Sequence, residues 1–319
     1  MVTRISVVVP TVDTKDLTMA CVSAVLGARV PEGTDVEVVV VDDGSRDGTA
    51  EALASHAGVR VLRNEARTGY ARAINRGVAE ATGDILVLLN SDAVLDEESL
   101  VQVARAFAAD ESLGIAGATL LYPDGTPQWS AGREPGLHWL FAQANGFPAL
   151  LGRLPGWRRI KPIHSDEAVD VGWVSGAAMA VRASVWREHG PFDVAYRFYV
   201  QDLDLCLRAR DRGWRVKLLP GFRAVHRRGA TIVAKGGGQV GNADLGLLWS
   251  DFVLWAETRK GRSFARRAMA AIRAGAALRL LARRVALPFV ARARRDAWRN
   301  ETTVIAHARS SVHPNGARP

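Results

Sequence analysis

Val36-Glu37-Val38-Val39-Val40-Val41-Asp42-Asp43-Gly44-Ser45-Arg46-Asp47-Gly48-Thr49 is the stretch on which the fold turns. Its valine-rich half predicts a strand over Val36–Val41, buried on both faces as a strand between two helix layers is. Its second half delivers two carboxylates into a glycine-containing turn, and a helix is expected from Asp47 to His56. Strand, turn and helix in that order form one unit of a parallel α/β sheet. Upstream, Ile5–Val9 is a strand stopped by Pro10, followed by a helix over Asp16–Leu26. Downstream come a strand at Val59–Leu62, a helix over Ala71–Ala81 ended by Gly83, a buried strand Ile85–Leu89, a helix Glu97–Ala108 and a run Gly114–Leu121. Right-handed crossovers place the C-terminal ends of these strands along one edge, where ligands of open α/β sheets collect.

The rhythm breaks over residues 123–170, which are rich in proline and glycine and carry Trp129, Trp139 and Trp157. They read as loops and short helices around a cleft. Regularity resumes with a strand at Trp173–Val181, a helix at Asp202–Arg212, a strand at Val216–Leu219 and a helix at Leu245–Thr258. The expected organisation is an α/β domain over 1–230, a helical extension over 231–261 and a basic amphipathic tail over 262–319, frayed in its final dozen residues.

The net charge of +9 is uneven. Arg259 to Arg299 holds thirteen Lys/Arg and one acid, Asp296, leaving 29 of the 42 basic residues against 32 of the 33 acidic ones elsewhere. The main domain therefore lacks the basic excess of a nucleic-acid binder, and the tail lacks interleaved aromatics before Trp298. Cys21 and Cys206 sit among apolar neighbours, outside any metal-type spacing, and read as buried thiols in a reducing compartment. No secretory signal is read at Met1, and no apolar run approaches the roughly 20 residues that cross a bilayer. A cytoplasmic protein is expected.

Five constellations could carry chemistry. In Asp42-Asp43-Gly44-Ser45 the carboxylates could bond a base and ribose, or Ser45 and Asp47 could simply cap the helix. In the stretch Asn64–Gly77, small residues alternate with Arg72, Asn75 and Arg76; Arg72 could meet a diphosphate, or the helix could be an ordinary solvated one. Asn90-Ser91-Asp92 ends a very apolar strand in polar residues, the oxygen ligands a hard divalent cation needs when it bridges two phosphates, or else a turn. Asp202 lies where the aromatic run Phe198-Tyr199 gives way to helix, a suitable place for a general base or for an N-cap; Asp204 and Arg208, four apart, are expected to pair. His226 follows the Arg223–Val225 run and could join the same cleft as a metal ligand.

Taken in order from about Ile5 to Gly229, these pieces resemble glycosyltransferase family 2, with its GT-A fold. Within it they resemble the rhamnosyltransferase-like branch that builds bacterial surface polysaccharides. The resemblance implies that Asp43, with Thr11 and Asp13, holds a nucleotide. It implies that Asp92 holds Mg2+ or Mn2+ against the diphosphate, with Asn90 where relatives have a second aspartate, and that His226 completes the metal or phosphate site. Arg72, Asn75 and Ser91 fall in the donor-binding stretches, Gly176 and Ala177 in the sugar or acceptor floor, and Asp202 in the place of the catalytic base. Gln201 stands where relatives usually have glutamate. The implied reaction is an inverting transfer from a nucleoside-diphosphate sugar, dTDP-rhamnose first and UDP- or GDP-sugars next, to a saccharide or lipid-linked acceptor. Two rivals are a non-catalytic carbohydrate- or nucleotide-binding protein on the same scaffold, suggested by Asn90 and Gln201, and a nucleotidyltransferase, whose glycine-rich loop is missing at Pro10-Thr11-Val12-Asp13. The tail alternates Arg266, Arg267, Arg273, Arg279, Arg283 and Arg284 with Leu278, Leu280, Leu281, Val285 and Leu287. Such a helix could lie on an anionic leaflet, or pack on its own domain with its arginines in water.

Overall fold

The computed structural model describes residues 3–146, 166–227 and 244–312. Trp157, the 228–243 part of the expected boundary and the last residues of the tail lie outside them. The strands are β1 Thr3–Thr11, β2 Thr34–Asp42, β3 Val59–Arg63, β4 Ile85–Leu89, β5 Ala93–Leu95, β6 Leu113–Leu121, β7 Ala131–Gly132, β8 Val169–Asp170, β9 Trp173–Val174, β10 Ala178–Arg182 and β11 Arg215–His226. The helices are α1 Lys15–Leu26, α2 Thr49–Ala54, α3 Tyr70–Ala79, α4 Ser99–Ala109, α5 Leu137–Asn145, α6 Ala183–His189, α7 Gln201–Arg210, α8 Leu245–Ala286 and α9 Arg295–Ser311.

The main sheet runs β3-β2-β1-β4-β10-β6-β11-β5, with β8 on β11, while β7 and β9 form a small separate pair. Strands β1 to β4 are parallel, as are β6 and β11. Strand β10 runs antiparallel between β4 and β6, and β5 antiparallel to β11. The mostly parallel sheet read from the valine runs is thus present, and Val38–Val41, Val7–Val9 and Leu86–Leu89 are buried as a two-sided strand requires. Register then decides what meets at the ligand edge. Thr11 pairs with Asp42, Ala178 with Leu89, and His226 with Ala93.

Two expected strands differ. The run Trp173–Val181 is broken: β9 pairs with β7, β10 joins the main sheet, and Ser175–Ala177 between them is left free of ladder pairing. The second difference joins two pieces. Strand β11 continues from Arg215 through to His226, with a register shift between Leu219 and Arg223 where Pro220 cannot donate to a ladder.

Of the described residues, one compact unit gathers 3–134, 166–195 and 201–227, and a second gathers 135–146, 196–200 and 244–312. In the second unit the helix expected to stop at Thr258 runs on to Ala286, interrupted only by the non-helical dihedrals of Gly261 (φ 81°, ψ 168°). Helix α5 packs on α8, and α9 packs back on α8. Helix α9 also continues to Ser311, into the part of the tail expected to fray. Arg283 is buried rather than solvated: it donates to Thr302 Oγ1 (2.9 Å) and Trp298 O (2.8 Å), pairs with Glu301 (3.0 Å) and lies 3.8 Å over the Trp298 ring. The apolar residues point the other way. Leu278, Leu281, Val285 and Phe289 are 39%, 59%, 65% and 87% exposed. Among the described residues no helix is long and apolar enough to cross a membrane.

Helix α3 lies directly on β1 and β2 because Gly77 has no side chain: a Cβ there would collide with Val8 and reach within 2.9 Å of Val41 Cγ2. Gly77→Ala is expected to be net destabilising, by about 1–2 kcal/mol in chemical denaturation, because overpacking a core outweighs the gain in helix propensity.

Candidate functional site

Asp43 sits at the end of β2 and is almost fully buried. Its Oδ1 accepts from Asn64 Nδ2 (2.7 Å), Thr68 N (2.8 Å) and Thr68 Oγ1 (2.7 Å), and its Oδ2 from Gly69 N (2.8 Å). Burial works to raise its pKa, but the bonds from Thr68, Asn64 and Gly69 outweigh it and hold the carboxyl below its ordinary value. The carboxylate therefore anchors the turn that launches α3. Its neighbour Asp42 turns inward and accepts from Ser45 N (2.9 Å).

At the end of β1, Thr11 begins a buried row of hydroxyls. Thr11 Oγ1 lies 2.6 Å from Thr18 Oγ1 and 3.0 Å from Thr14 Oγ1, and Thr14 Oγ1 lies 3.1 Å from Ser91 Oγ. The row joins the end of the first strand to the Asn-Ser-Asp turn after β4. Asp13 is exposed, in a left-handed conformation (φ 50°), and accepts from Arg46 N (2.8 Å) while its own N–H donates to Ser45 Oγ (3.0 Å). Asp13 and the Asp-Asp-Gly-Ser turn are thus tied together.

Asp92 and His226 meet in the same unit, with Nε2 of the imidazole 3.2 Å from Asp92 Oδ1 and both side chains buried. On its far side the ring's Nδ1 lies 3.0 Å from Gln128 Oε1. The main chain is latched as well, since Arg227 N donates to Asp92 O (2.9 Å). Asn90 Oδ1, two residues before Asp92, is a buried acceptor with no hydrogen-bond partner. A carboxylate, an imidazole nitrogen and an orphaned amide oxygen are a donor set suited to a hard divalent cation that completes its shell with phosphate and water oxygens. Among the described residues no three His, Cys, Asp or Glu side chains converge on one point.

Asp202, in the first turn of α7, accepts from Gly176 N at Oδ2 (2.7 Å) and from Leu203 N at Oδ1 (2.8 Å). Burial pushes its carboxyl above the ordinary aspartate value, against those two N–H groups. Gly176 is held from its other side by Tyr70, whose hydroxyl donates to Gly176 O (3.0 Å). A Cβ on Gly176 would lie 3.2 Å from Tyr70 Oη and 3.4 Å from Asp202 Oδ2, so only glycine leaves both contacts undisturbed. Burial, then the charges of Asp202 and Asp92, push the Tyr70 phenol up, so both carboxylates act on this one ring. Ala177 O accepts from Asn90 N (2.9 Å), which ties the Gly176 segment to the turn that carries Asp92.

Asp43, Thr11, Ser91, Asn90, Asp92, His226, Gly176, Ala177 and Asp202 are therefore all linked through the edge formed by the ends of β1, β2, β4 and β11 and the start of β10. Arg72 stands exposed on the first turn of α3. Asn75 is occupied differently from a donor contact: its Nδ2 donates to Phe192 O and its Oδ1 accepts from Phe192 N, both at 2.9 Å. Both ends of its amide hold the 190–193 segment, and a ligand would have to displace that ring of bonds. Asp204 pairs with Arg208 (2.8 Å) as the four-residue spacing predicts. Sequence reasoning gave no role to Tyr70 or Gln128. Tyr70 carried a faint signal, an aromatic placed directly after Gly69 at a helix start. Gln128 carried none, since it lies in an irregular connection.

The model of the family described as "Glycosyl transferase family 2" matches residues 6–166. An N-acetylglucosaminyl-diphospho-decaprenol L-rhamnosyltransferase of Mycobacterium tuberculosis is 30% identical over 212 residues, which are 60% of this chain and 67% of the relative. The Escherichia coli rhamnosyltransferase WbbL is 42% identical over 64 residues, 20% of this chain and 24% of the relative. Among solved structures, a mannosyltransferase from Pyrobaculum calidifontis in complex with GDP-Man and Mn2+ superposes with a TM-score of 0.56 at 17% identity, covering 96% of this chain and 86% of that one. At that identity the likeness is one of fold.

The anchoring of residues 64–69 by Asp43 is testable as stability. A carboxyl held below its unfolded pKa contributes stability above about pH 4 and loses it as pH falls through the folded value. Asp43→Asn should cost about 1–3 kcal/mol at pH 7, because donors are left facing an amide NH2, and the gap from wild type should narrow in denaturation at pH 3.

Proposed function

This chain belongs to glycosyl transferase family 2, and from that premise we propose that it is an inverting, divalent-cation-assisted transferase with Asp202 as its catalytic base. The observation that carries the reading is the position of Asp202. It is pinned by Gly176 N–H and Leu203 N–H, raised above the ordinary carboxylate value by burial, and linked through Gly176–Ala177 to the turn that bears Asp92.

In the proposed reaction the acceptor hydroxyl attacks the anomeric carbon of the donor sugar. Its proton passes to an Asp202 oxygen, and the bond between the anomeric carbon and the diphosphate oxygen breaks on the opposite face, so configuration inverts. Asp92 and His226, with Asn90 Oδ1, would hold Mg2+ or Mn2+, which when bound offsets the charge of the leaving diphosphate. Asp43, Thr11 and Asp13 would shape the nucleotide end. With both Asp43 oxygens engaged by the 64–69 turn, its part is to fix that turn and offer its remaining lone pairs. Arg72, exposed beside that turn, would serve as a cation for the phosphates.

A dTDP-rhamnose donor comes first, with UDP- and GDP-sugars next, because the mycobacterial and E. coli relatives are rhamnosyltransferases. The acceptor class is a saccharide or lipid-linked saccharide, after the diphospho-decaprenol acceptor in the mycobacterial relative's name. The stripe Leu278, Leu281, Val285 and Phe289, near the exposed Arg284 and Arg292, would rest on an anionic leaflet at the cytoplasmic face, where such an acceptor is anchored.

Asp202→Asn should lower kcat by about 10²–10⁴-fold while donor affinity stays near wild type. The wild-type kcat/KM profile should fall with decreasing pH around a value above the ordinary aspartate range, since only the ionised carboxylate accepts the proton. Near-normal turnover in the variant would remove Asp202 as the base. Membrane contact is tested by liposome flotation: wild type should float with anionic vesicles and a Leu281→Glu/Val285→Glu/Phe289→Glu variant should not, whereas equal flotation of the two would exclude the stripe.

A further inference from the structure

Gln128 lies between β6 and β7, is 2% exposed, and makes side-chain hydrogen bonds that dictate which way its amide faces. Its Nε2 donates to Leu121 O (3.3 Å) and to His226 O. Carbonyls only accept, so the nitrogen end is fixed on that side and the oxygen end is what meets His226 Nδ1 at 3.0 Å. An amide oxygen also only accepts. The Nδ1 atom must therefore carry the proton, and in the neutral ring the lone pair is left on Nε2. That lone pair faces Asp92 Oδ1 at 3.2 Å. Two acceptors that close require something positive between them, a second ring proton or a bound cation, and both use the ring with its Nδ1–H on Gln128.

We propose that Gln128 is a positioning residue that locks His226 in the tautomer able to ligate a cation through Nε2, holding the ring and the main chain of His226 with one side chain. The proposal rests on the reading of Asp92 and His226 as a cation site, and it assigns that site a dedicated outer support. Metal-bound histidines generally donate their other ring N–H to such a partner, and its loss typically weakens metal binding by about 10–100-fold. Among the described residues the partner is a neutral amide whose orientation two backbone carbonyls enforce, so tautomer control costs no second buried charge.

The test is titration of the full chain with Mn2+ alone, followed by loss of the free-ion EPR signal. His226→Ala should weaken binding, and Gln128→Met should weaken it by about 10–100-fold. Gln128→Glu still accepts from Nδ1 but turns its second oxygen on Leu121 O and His226 O, two acceptors, so it should bind between wild type and Gln128→Met. Combining Gln128→Met with His226→Ala should be no weaker than His226→Ala alone, because the clamp then has nothing to orient. Wild-type Mn2+ affinity in Gln128→Met would overturn the proposal. So would a Gln128→Met effect that persists at full size without the imidazole, since that assigns the loss to the fold. Undiminished affinity in His226→Ala would instead remove the cation site itself, and the clamp with it.

Discussion

The hydrogen bond from Asn90 N to Ala177 O, 2.9 Å long, is where a parallel strand leaving the sheet meets an antiparallel strand entering it. Because β10 runs against β4, its beginning rather than its end lies beside the polar turn at 90–92. That reversal puts Ser175–Ala177, free of ladder pairing, at the ligand edge. Gly176 then offers its N–H to Asp202 and its carbonyl to Tyr70. A parallel strand at the same place would bring the opposite end of β10 to this edge, and α7 would have no anchor there.

Once the edge is assembled, two aspartates are driven in opposite directions by their surroundings. Asp43 is surrounded by donors and held ionised; Asp202 has two backbone donors, and burial wins. Pairs of titratable groups set apart in this way divide labour within one cleft. Here the ionised one organises the start of α3, and burial holds the other above the ordinary carboxylate range. Tyr70 stands in the field of Asp202 and of Asp92 and connects the two ends mechanically, since the turn before it belongs to Asp43 and its hydroxyl belongs to Gly176.

The central strands were legible because valine runs such as Val38–Val41 have one stable home, between two layers of helices. Asp43, Asp92 and His226 were legible as candidates because each closes an apolar strand or follows one, and Asp202 because it opens a helix after an aromatic run. Three things were not. The break at Ser175–Ala177 depends on which strand each half pairs with, a tertiary choice that local β propensity does not encode. The family resemblance puts Asn75 among the donor contacts, but its amide is committed to Phe192, more than a hundred residues away. Arg283 reads as a solvated cation in a basic helix, yet Glu301 and Trp298 of the following helix draw it inward, which leaves the outer stripe to leucine, valine and phenylalanine.

The row of hydroxyls from Thr18 to Ser91 has one settled end. Thr18 Oγ1 spends its proton on Thr14 O (2.8 Å), a group that cannot return one. Thr18 Oγ1 can then only receive, and Thr11 Oγ1 and Thr14 Oγ1 both lie within its reach, at 2.6 and 3.2 Å. Thr11, Thr14 and Ser91 bring one proton each to the contacts that link these oxygens, fewer than the contacts themselves. The row, which ends one residue before Asp92, therefore holds acceptor capacity in excess of its protons without burying another ion.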